Sequence, residues 1–328
     1  RRGHEVVVAC RSRAPLRDRA RDAGLETRAI AFGGDLAPWP ALELWRIVRA
    51  FRPQVLHLHD PHAAAAAVLV RPLTASLVAS RRVDFALRGP LSRWKYARCR
   101  GVIAVSRAVA SVLAGDGLDP RRVHVVYEGV PDRAPSPGGT DALRLLGIPA
   151  GVPVIGNVAA LTAHKGQETL IAAAAQVLAR RPDARFVIVG QGELEGPLRA
   201  QARALGVTDR VLFAGFRADV DGLIPAFDIF CLSSHMEGLG TSLLDAMCYG
   251  RPIVATRAGG IPEAVEDGVT GWVVPPRDAD ALASALLAVL EDRARREAMG
   301  AAGRRRFLER FTADRMVEET LAVYAGLA

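Results

Sequence analysis

The chain is short of several residue types, and each shortage narrows what it can be. Its four cysteines, Cys10, Cys99, Cys231 and Cys248, form no Cys-x-x-Cys pair. That spacing disfavours a zinc ribbon, a thioredoxin-type site or a disulfide scaffold and fits reduced, cytosolic thiols. Long apolar runs are missing: the longest candidate, Ala63 to Val70, is closed by Arg71 after eight residues. A membrane-spanning helix needs about 18 or more. There is no internal repeat and no low-complexity tail. Lysine is nearly absent, since only Lys95 and Lys165 stand among 43 basic residues.

What is present is globular. Half of the 328 residues are apolar and 24% are charged. At roughly 100–200 residues per domain, two domains are expected. Residues 1–150 hold 24 Arg and Lys against 13 Asp and Glu, a balance of +11, whereas the remainder holds 19 against 22, a balance of −3. A basic first half fits an anionic partner, such as a phosphorylated substrate or an anionic lipid surface, and equally fits a solvated arginine-rich surface. Nucleic acid is not expected, because no aromatic and basic recognition motif accompanies the charge.

Short apolar runs alternate with helical patterns. Glu5–Cys10, Thr27–Phe32, Gln54–Leu58, Leu77–Ala79, Val102–Val105 and Val123–Tyr127 read as buried strands, with helices between them at Trp39–Phe51, Pro61–Val70 and Arg107–Ala114. Pro131–Thr140, rich in Pro, Gly and Ser, reads as a linker. A second series follows, with strands at Val152–Val158, Arg185–Val189, Val211–Phe213, Asp228–Leu232, Pro252–Ala255 and Trp272–Val274. Helices are expected at Lys165–Arg180, Leu194–Leu205, Thr241–Tyr249 and Ala279–Leu290, then at Arg293–Arg310 and Thr312–Leu327. Such alternation gives an α/β chain of two doubly wound, Rossmann-like domains facing a cleft, with ligands bound beyond the carboxyl ends of the strands. The expected limits are 1–134, 135–311, and a terminal helix at 312–328 that packs back on the first domain.

The densest chemistry lies in Ser233–Gly250. Gly238 and Gly240 let the backbone approach a ligand, and the helix that follows presents N–H groups to an anion. Glu237 precedes the turn, where a carboxylate accepts hydrogen bonds from sugar hydroxyls. Asp245, about two helical turns along, is spaced to hold a ribose diol. The same residues also fit an ordinary helix N-cap and a solvated Asp245. Gly190-Gln-Gly192 and Gly196 resemble a dinucleotide fingerprint, but the third glycine comes one residue late. In the first half, alternation places His57 and His59 on one strand face, with His62 beyond, and a metal site is the less favoured reading. Arg82 and Asp84 follow the next strand as candidate site groups or as a surface ion pair. Arg88, Arg93, Lys95, Arg98 and Arg100 accompany Leu91, Trp94 and Tyr96, which suits an interfacial helix or a helix using Trp94 and Tyr96 as core.

Glu237, seven residues, Asp245-Ala-Met, and then Gly250-Arg-Pro-Ile-Val-Ala-Thr-Arg-Ala-Gly-Gly-Ile-Pro-Glu263 resemble the donor-site signature of glycosyltransferase family 4, the group 1 glycosyl transferases. Thr162-Ala-His-Lys-Gly166, Val189-Gly-Gln-Gly-Glu193, Asp267–Pro275, Ala104-Val-Ser106 and Tyr127-Glu-Gly-Val130 extend the resemblance over most of the chain. It implies the GT-B fold and a retaining transferase of the hexosyltransferase type. The donor would be a nucleotide diphosphate sugar, the acceptor a glycan or a lipid-linked molecule, and no separate cofactor or metal would be needed. Implied catalytic residues are Glu237, Lys165, His59, Arg82 and Asp84. Donor contacts would come from Lys165, His164, Gly190, Gly192, Glu237, Gly238, Leu239, Gly240, Thr241 and Asp245.

Three departures accompany the resemblance. The second acidic position is Asp245 where relatives usually have Glu. Ala159-Ala160-Leu161 lacks the Arg that often precedes the Lys-Gly pair, which loads the diphosphate onto Lys165 and His164. Relatives usually begin with a strand, a Gly-rich loop and a helix ahead of the first strand read here, so the first domain is expected to lack them. The implied setting is surface-glycan assembly such as lipopolysaccharide core, in the cytoplasm or peripherally on the inner membrane face. An epimerase on the same fold and a catalytically impaired sugar-nucleotide-binding protein are the rival readings.

Overall fold

The computed structural model describes residues 3–31, 38–70, 75–87, 89–134 and 139–327. In the first half the order is β1 (Val7–Cys10), α1 (Pro15–Asp22), β2 (Glu26–Ala29), α2 (Pro38–Phe51), β3 (Val55–Leu58), α3 (Pro61–Leu69), β4 (Ser76–Arg81), α4 (Gly89–Ala97), β5 (Gly101–Ala104), α5 (Arg107–Gly115) and β6 (Val123–Val125). The second half runs through α6 (Gly139–Leu145), β7 (Val154–Val158), α7 (Gln167–Arg180), β8 (Arg185–Val189), α8 (Glu195–Ala204), β9 (Val211–Gly215), α9 (Val220–Leu223), β10 (Ile229–Leu232) and α10 (Thr241–Cys248). It closes with β11 (Ile253–Thr256), α11 (Ile261–Ala264), β12 (Gly271–Val274), α12 (Ala279–Glu291), α13 (Arg293–Arg310) and α14 (Ala313–Leu327).

All strand pairs are parallel, as crossover helices require. The second half forms one six-stranded sheet in the order β12-β11-β10-β7-β8-β9. The direction of winding reverses between β7 and β10, so the loops after these two strands flank the crevice where such sheets bind ligands. The first half forms a four-stranded sheet, β3-β4-β5-β6, and a two-stranded pair, β1-β2. Helix starts follow capping chemistry. Asp60 accepts from the N–H groups of His62 and Ala63 ahead of Pro61, and Ser106 accepts from Val109 at 3.1 Å. Asp278 and Asp292 cap α12 and α13.

Where the terminal helix α14 crosses back, Met316, Val323, Tyr324 and Leu327 pack on Val78, Ile103 and Val126 of the first sheet. Two expectations need correction. The stretch Pro131–Thr140 does not stay irregular to its end. Its residues 135–138 lie outside the described residues, and α6 starts at Gly139 because Ala142, Leu143 and Leu146 recur at helical spacing and pack on the core. Likewise Lys165 does not open α7: Gly166 takes φ 65°, and the helix begins at Gln167. A Cβ at Gly166 would lie 2.2 Å from the Ser233 carbonyl oxygen, which fixes glycine there.

Candidate active site

The loops after β7 and β10 meet through a charge pair. Lys165 Nζ lies 2.6 Å from Glu237 Oε2, with side-chain exposures of 19% and 11%. Ser234 Oγ donates to the same oxygen at 3.1 Å, and Ser233 Oγ donates to the Lys165 carbonyl. His235 N–H donates to the His164 carbonyl, so the two loops are sewn together by backbone as well. Glu237 is thereby held at the mouth of the sheet.

Past Glu237, Gly238 to Gly240 lead into α10. Gly240, the residue ahead of that helix, has φ 93° and offers no side-chain cap. The N–H groups of Gly238, Leu239, Gly240 and Thr241 have no acceptor among the described residues. A helix start with unsatisfied donors and a partial positive charge is an anion site in waiting. Leu239 is 1% exposed, so its side chain belongs to the core and only its backbone can meet a ligand.

Gly190 and Gly192 are tightly packed on their Cβ side. A Cβ at Gly190 would sit 1.9 Å from the Ala159 carbonyl oxygen, and one at Gly192 would sit 2.3 Å from that of Leu161. These glycines let the two loops lie against each other, with Leu161 N–H bonded to the Gln191 carbonyl at 3.0 Å.

Asp245 stands on α10 with its carboxylate largely buried. Burial raises its pKa to about 6, against the pull of Arg133 and with help from the like charge of Asp221. Arg133 reaches both acids, at 3.5 Å from Asp245 and 2.5 Å from Asp221. This arginine, in the segment joining the two sheets, was not legible as a site residue, because nothing local to it signals a contact 112 positions away.

The first half brings its own groups to the same place. Asp84 Oδ2 accepts from the Glu237 N–H at 2.9 Å, and the Arg82 carbonyl lies 2.1 Å from where a Gly238 Cβ would be. Asp84 is not the partner of Arg82. The Arg82 guanidinium pairs instead with Glu128 at 3.2 Å, and Glu128 is the acidic residue that follows β6 and Tyr127. Burial raises the Glu128 pKa, Arg82 opposes that, and the nearby Glu237 charge adds to it. The His59 pKa is lowered by desolvation and then by Arg82. Its ring stacks on His57 with centroids 4.1 Å apart, as the strand alternation requires. His57 is itself bracketed by Tyr324 Oη at 2.5 Å and Ser80 Oγ at 2.7 Å. His164 meets the first half through the Phe85 ring, with centroids 5.6 Å apart. Hence Lys165, Glu237, Arg82, Asp84, His164 and the Gly238–Thr241 turn come together, while Asp245 lies along α10 with Arg133.

A clasp joins the halves beside this site. Glu263 on α11 accepts from the N–H groups of Arg107 and Ala108 at the start of α5, both at 2.8 Å, and from Tyr127 Oη at 3.0 Å. An acidic side chain from one half thus caps a helix of the other. Two Asp-x-Asp spacings occur in the chain, and the structure shows both at other work. Asp219 pairs with Arg217 and Asp221 with Arg133, while Asp278 caps α12 and Asp280 accepts from Gln176.

The stretch around α4 divides. Lys95 and Tyr96 are buried, Lys95 donating to the Pro61 carbonyl at 3.3 Å, whereas Leu91, Arg93, Trp94 and Arg98 are exposed. Arg98 lies over the Trp94 ring. Arg88 is outside the described residues. All four cysteines are free and buried, and no helix among the described residues is long and apolar enough to cross a membrane.

The chain matches the family of glycosyl transferases group 1 over residues 142–306 and glycosyltransferase family 4 over residues 1–133. A GDP-mannose-dependent monoacylated alpha-(1-6)-phosphatidylinositol monomannoside mannosyltransferase of Corynebacterium glutamicum is 41% identical over 170 residues, which cover 49% of this chain and 44% of that relative. The match therefore spans less than half of that relative's length. A 2-deoxystreptamine N-acetyl-D-glucosaminyltransferase of Streptomyces fradiae is 30% identical over 303 residues, covering 84% of this chain and 72% of its own length. The crystal structure of Anabaena HepE with UDP and glucose superposes with a TM-score of 0.86 at 24% identity, over 98% of this chain and 92% of the other, a likeness of fold. The chain belongs to the group 1 glycosyl transferases, with two Rossmann-like domains in the GT-B arrangement.

Proposed function

We propose that the protein transfers a sugar from a nucleotide diphosphate sugar to a glycan or lipid-linked acceptor, with retention of anomeric configuration and without a metal ion. The observation that carries this reading is the Lys165–Glu237 pair at the switch point, next to four backbone N–H groups that lack acceptors among the described residues. When the anomeric C–O bond breaks, negative charge grows on the diphosphate. A fixed cation and aligned N–H groups stabilise that charge where it develops. Glu237, held by Lys165, Ser234 and the Asp84 contact to its N–H, is positioned to accept hydrogen bonds from sugar hydroxyls. The acceptor hydroxyl attacks the face the leaving group departs from, and its proton passes to the departing phosphate oxygen. Positioning rather than a protein nucleophile then supplies the acceleration. Asp245 holds the ribose diol, after Arg133 yields part of its contact.

Arg82, His59 and Glu128 line the first-domain side and are assigned to the acceptor. The Arg82 backbone lies against the Gly238 turn, and its guanidinium pairs with Glu128. Trp39, Trp45, Leu91 and Trp94 are exposed in the half that carries the +11 balance, which supports docking on an anionic membrane surface. The relatives named as phosphatidylinositol monomannoside mannosyltransferases and a lipopolysaccharide core glycosyltransferase of Rhizobium meliloti make a lipid-linked or surface-glycan acceptor the first to try.

A thermal-shift panel of UDP- and GDP-sugars, followed by radiolabelled transfer to lipid and glycan acceptors, tests the reading. Stabilisation by one donor series and acceptor-dependent release of nucleoside diphosphate are expected. Conversion of the donor sugar without any acceptor would replace the transferase reading with an epimerase. Sedimentation with anionic vesicles at low and high salt tests the docking; binding indifferent to salt and lipid charge would remove it.

A further inference from the structure

Tyr127 and Glu128 are consecutive and turn opposite ways, Glu128 to Arg82 and Tyr127 to Glu263. On the Tyr127 side, Arg107, Val125, Tyr127, Arg310, Arg315 and Glu319 line a half-open cavity of about 210 Å³. The cavity adjoins the two strands of chain that connect the halves, which are bonded here through Val130 N–H to the Phe311 carbonyl at 3.0 Å and Ala313 N–H to the Val130 carbonyl at 2.9 Å.

The charges in it do not balance. Arg315 is committed: its Nε lies 2.9 Å from Glu319 Oε1, and its Nη1 donates to the Glu309 carbonyl. Glu263 is committed as well, since its two oxygens accept from Arg107 N–H, Ala108 N–H and Tyr127 Oη. The guanidinium of Arg107 has no carboxylate within 4.0 Å among the described residues. The guanidinium of Arg310 rests 5.2 Å from the Tyr127 ring centroid and 5.9 Å from that of Phe311, again with no carboxylate. Arg107 and Arg310 face only the single charge of Glu263, whose own partners are uncharged, so the recess keeps a surplus of positive charge that an anion would offset. The planar forks of the two guanidinium groups match the oxygens of a phosphate.

We propose that this cavity binds a small phosphate-class anion, held by Arg107 at the start of α5 in the first domain and Arg310 at the end of α13. The site is separate from the donor cleft and independent of the transfer reaction. Because the two arginines belong to α5 in the first half and α13 in the second, the bound anion favours the domain arrangement in which they face each other.

Calorimetric titration of inorganic pyrophosphate into the full chain, presaturated with UDP and separately with GDP, tests the site while the donor cleft is filled. One equivalent of pyrophosphate should bind, and its affinity should fall about tenfold or more in Arg107→Gln and in Arg310→Gln, as loss of a charged hydrogen bond implies. Nucleotide affinity should stay the same in both. Arg107 is exposed, so its substitution leaves the fold intact and keeps the result readable even if Arg310→Gln loosens the Tyr127 contact. No pyrophosphate binding, or binding unaffected by either substitution, would overturn the proposal. A second arm uses vesicles containing phosphatidic acid. Vesicle binding lost in both variants, without binding of free pyrophosphate, would assign the site to a lipid headgroup and overturn the free anion.

Discussion

The two Rossmann-like domains use the same strand-and-helix alternation to different effect. The second keeps six strands in one sheet, and β10 and β11 are buried at every residue. In the first, four strands form one sheet and β1 and β2 form a separate pair, three of whose eight residues are partly buried and one fully. The second domain carries a balance of −3 beyond residue 150, while the first 150 residues carry +11 and expose Trp39, Trp45 and Trp94. A continuous, close-packed sheet can hold loops after β7 and β10 to within fractions of an ångström, which a phosphate-stabilising site demands. A looser, basic and aromatic surface suits partners that vary in shape. The difference fits the proposed division, with donor chemistry in the second domain and acceptor recognition in the first.

Substitutions on either side of the cleft should therefore differ in kind. The largest effect is expected for Glu237→Gln in the second domain: turnover of the intact nucleotide sugar should fall about 100-fold or more, the usual scale for losing a preorganised transition-state contact. Nucleotide affinity and the melting temperature should change little. Steady-state kinetics beside a melting curve would check this, and a fall in nucleotide binding of equal size would blur the division between the domains.

Asp245→Asn should act on the other quantity, weakening free nucleotide by about 1–3 kcal/mol with a smaller effect on turnover. Burial raises the Asp245 pKa to about 6, so nucleotide affinity should decline as pH falls from 7 through that value and should lose this dependence in the variant. Stability carries the opposite sign. The folded state retains a proton that the unfolded chain releases near the ordinary carboxylate value of 3.8, so this group's contribution is full below 3.8 and is lost as pH rises through about 6. Paired calorimetric and denaturation series at pH 5 and 7 would separate the two.

Glu263→Ala probes the clasp between the domains. It removes the acceptor for two α5 N–H groups and for Tyr127, at an expected cost of about 1–2 kcal/mol in a denaturant melt. An unchanged melt would show that the domains hold together without it.

At neutral pH His57→Gln is the smallest of the four, and its effect lies in the acid range. Burial, then the His59 and Arg82 charges, lower the His57 pKa to about 3, so the folded state keeps the ring neutral. Its stability contribution is complete above 6.5 and drains away as pH falls toward 3. The wild type should lose stability faster than the variant over that window, and parallel curves would argue against a buried neutral ring between Tyr324 and Ser80.

Much of this architecture is written locally. Arg293–Arg310 is a helix over the very residues its pattern marks, and Thr312–Leu327 is one from Ala313. Fully buried parallel strands such as Ile229–Leu232 announce themselves as uninterrupted apolar runs. The Gly238–Thr241 turn was legible because glycines between a strand and a helix have few other uses. Partner choice was not legible. Arg82 could be paired with Asp84 from sequence proximity, yet it pairs with Glu128, which follows β6. Lys95 looked like part of a basic surface, but the turn of α4 buries it beneath Pro61. The Arg133–Asp245 and Glu263 contacts span more than a hundred residues, and no local pattern carries such information.

The central claim is that the second domain neutralises the donor diphosphate through Lys165 and the turn before α10. Calorimetric titration of nucleoside, nucleoside monophosphate and nucleoside diphosphate into the wild type and Lys165→Ala tests it most directly. Lys165→Ala should weaken the diphosphate far more than the nucleoside and so erase most of the wild type's preference for it. Equal losses for all three ligands would contradict the claim and reduce Lys165 to a structural partner of Glu237.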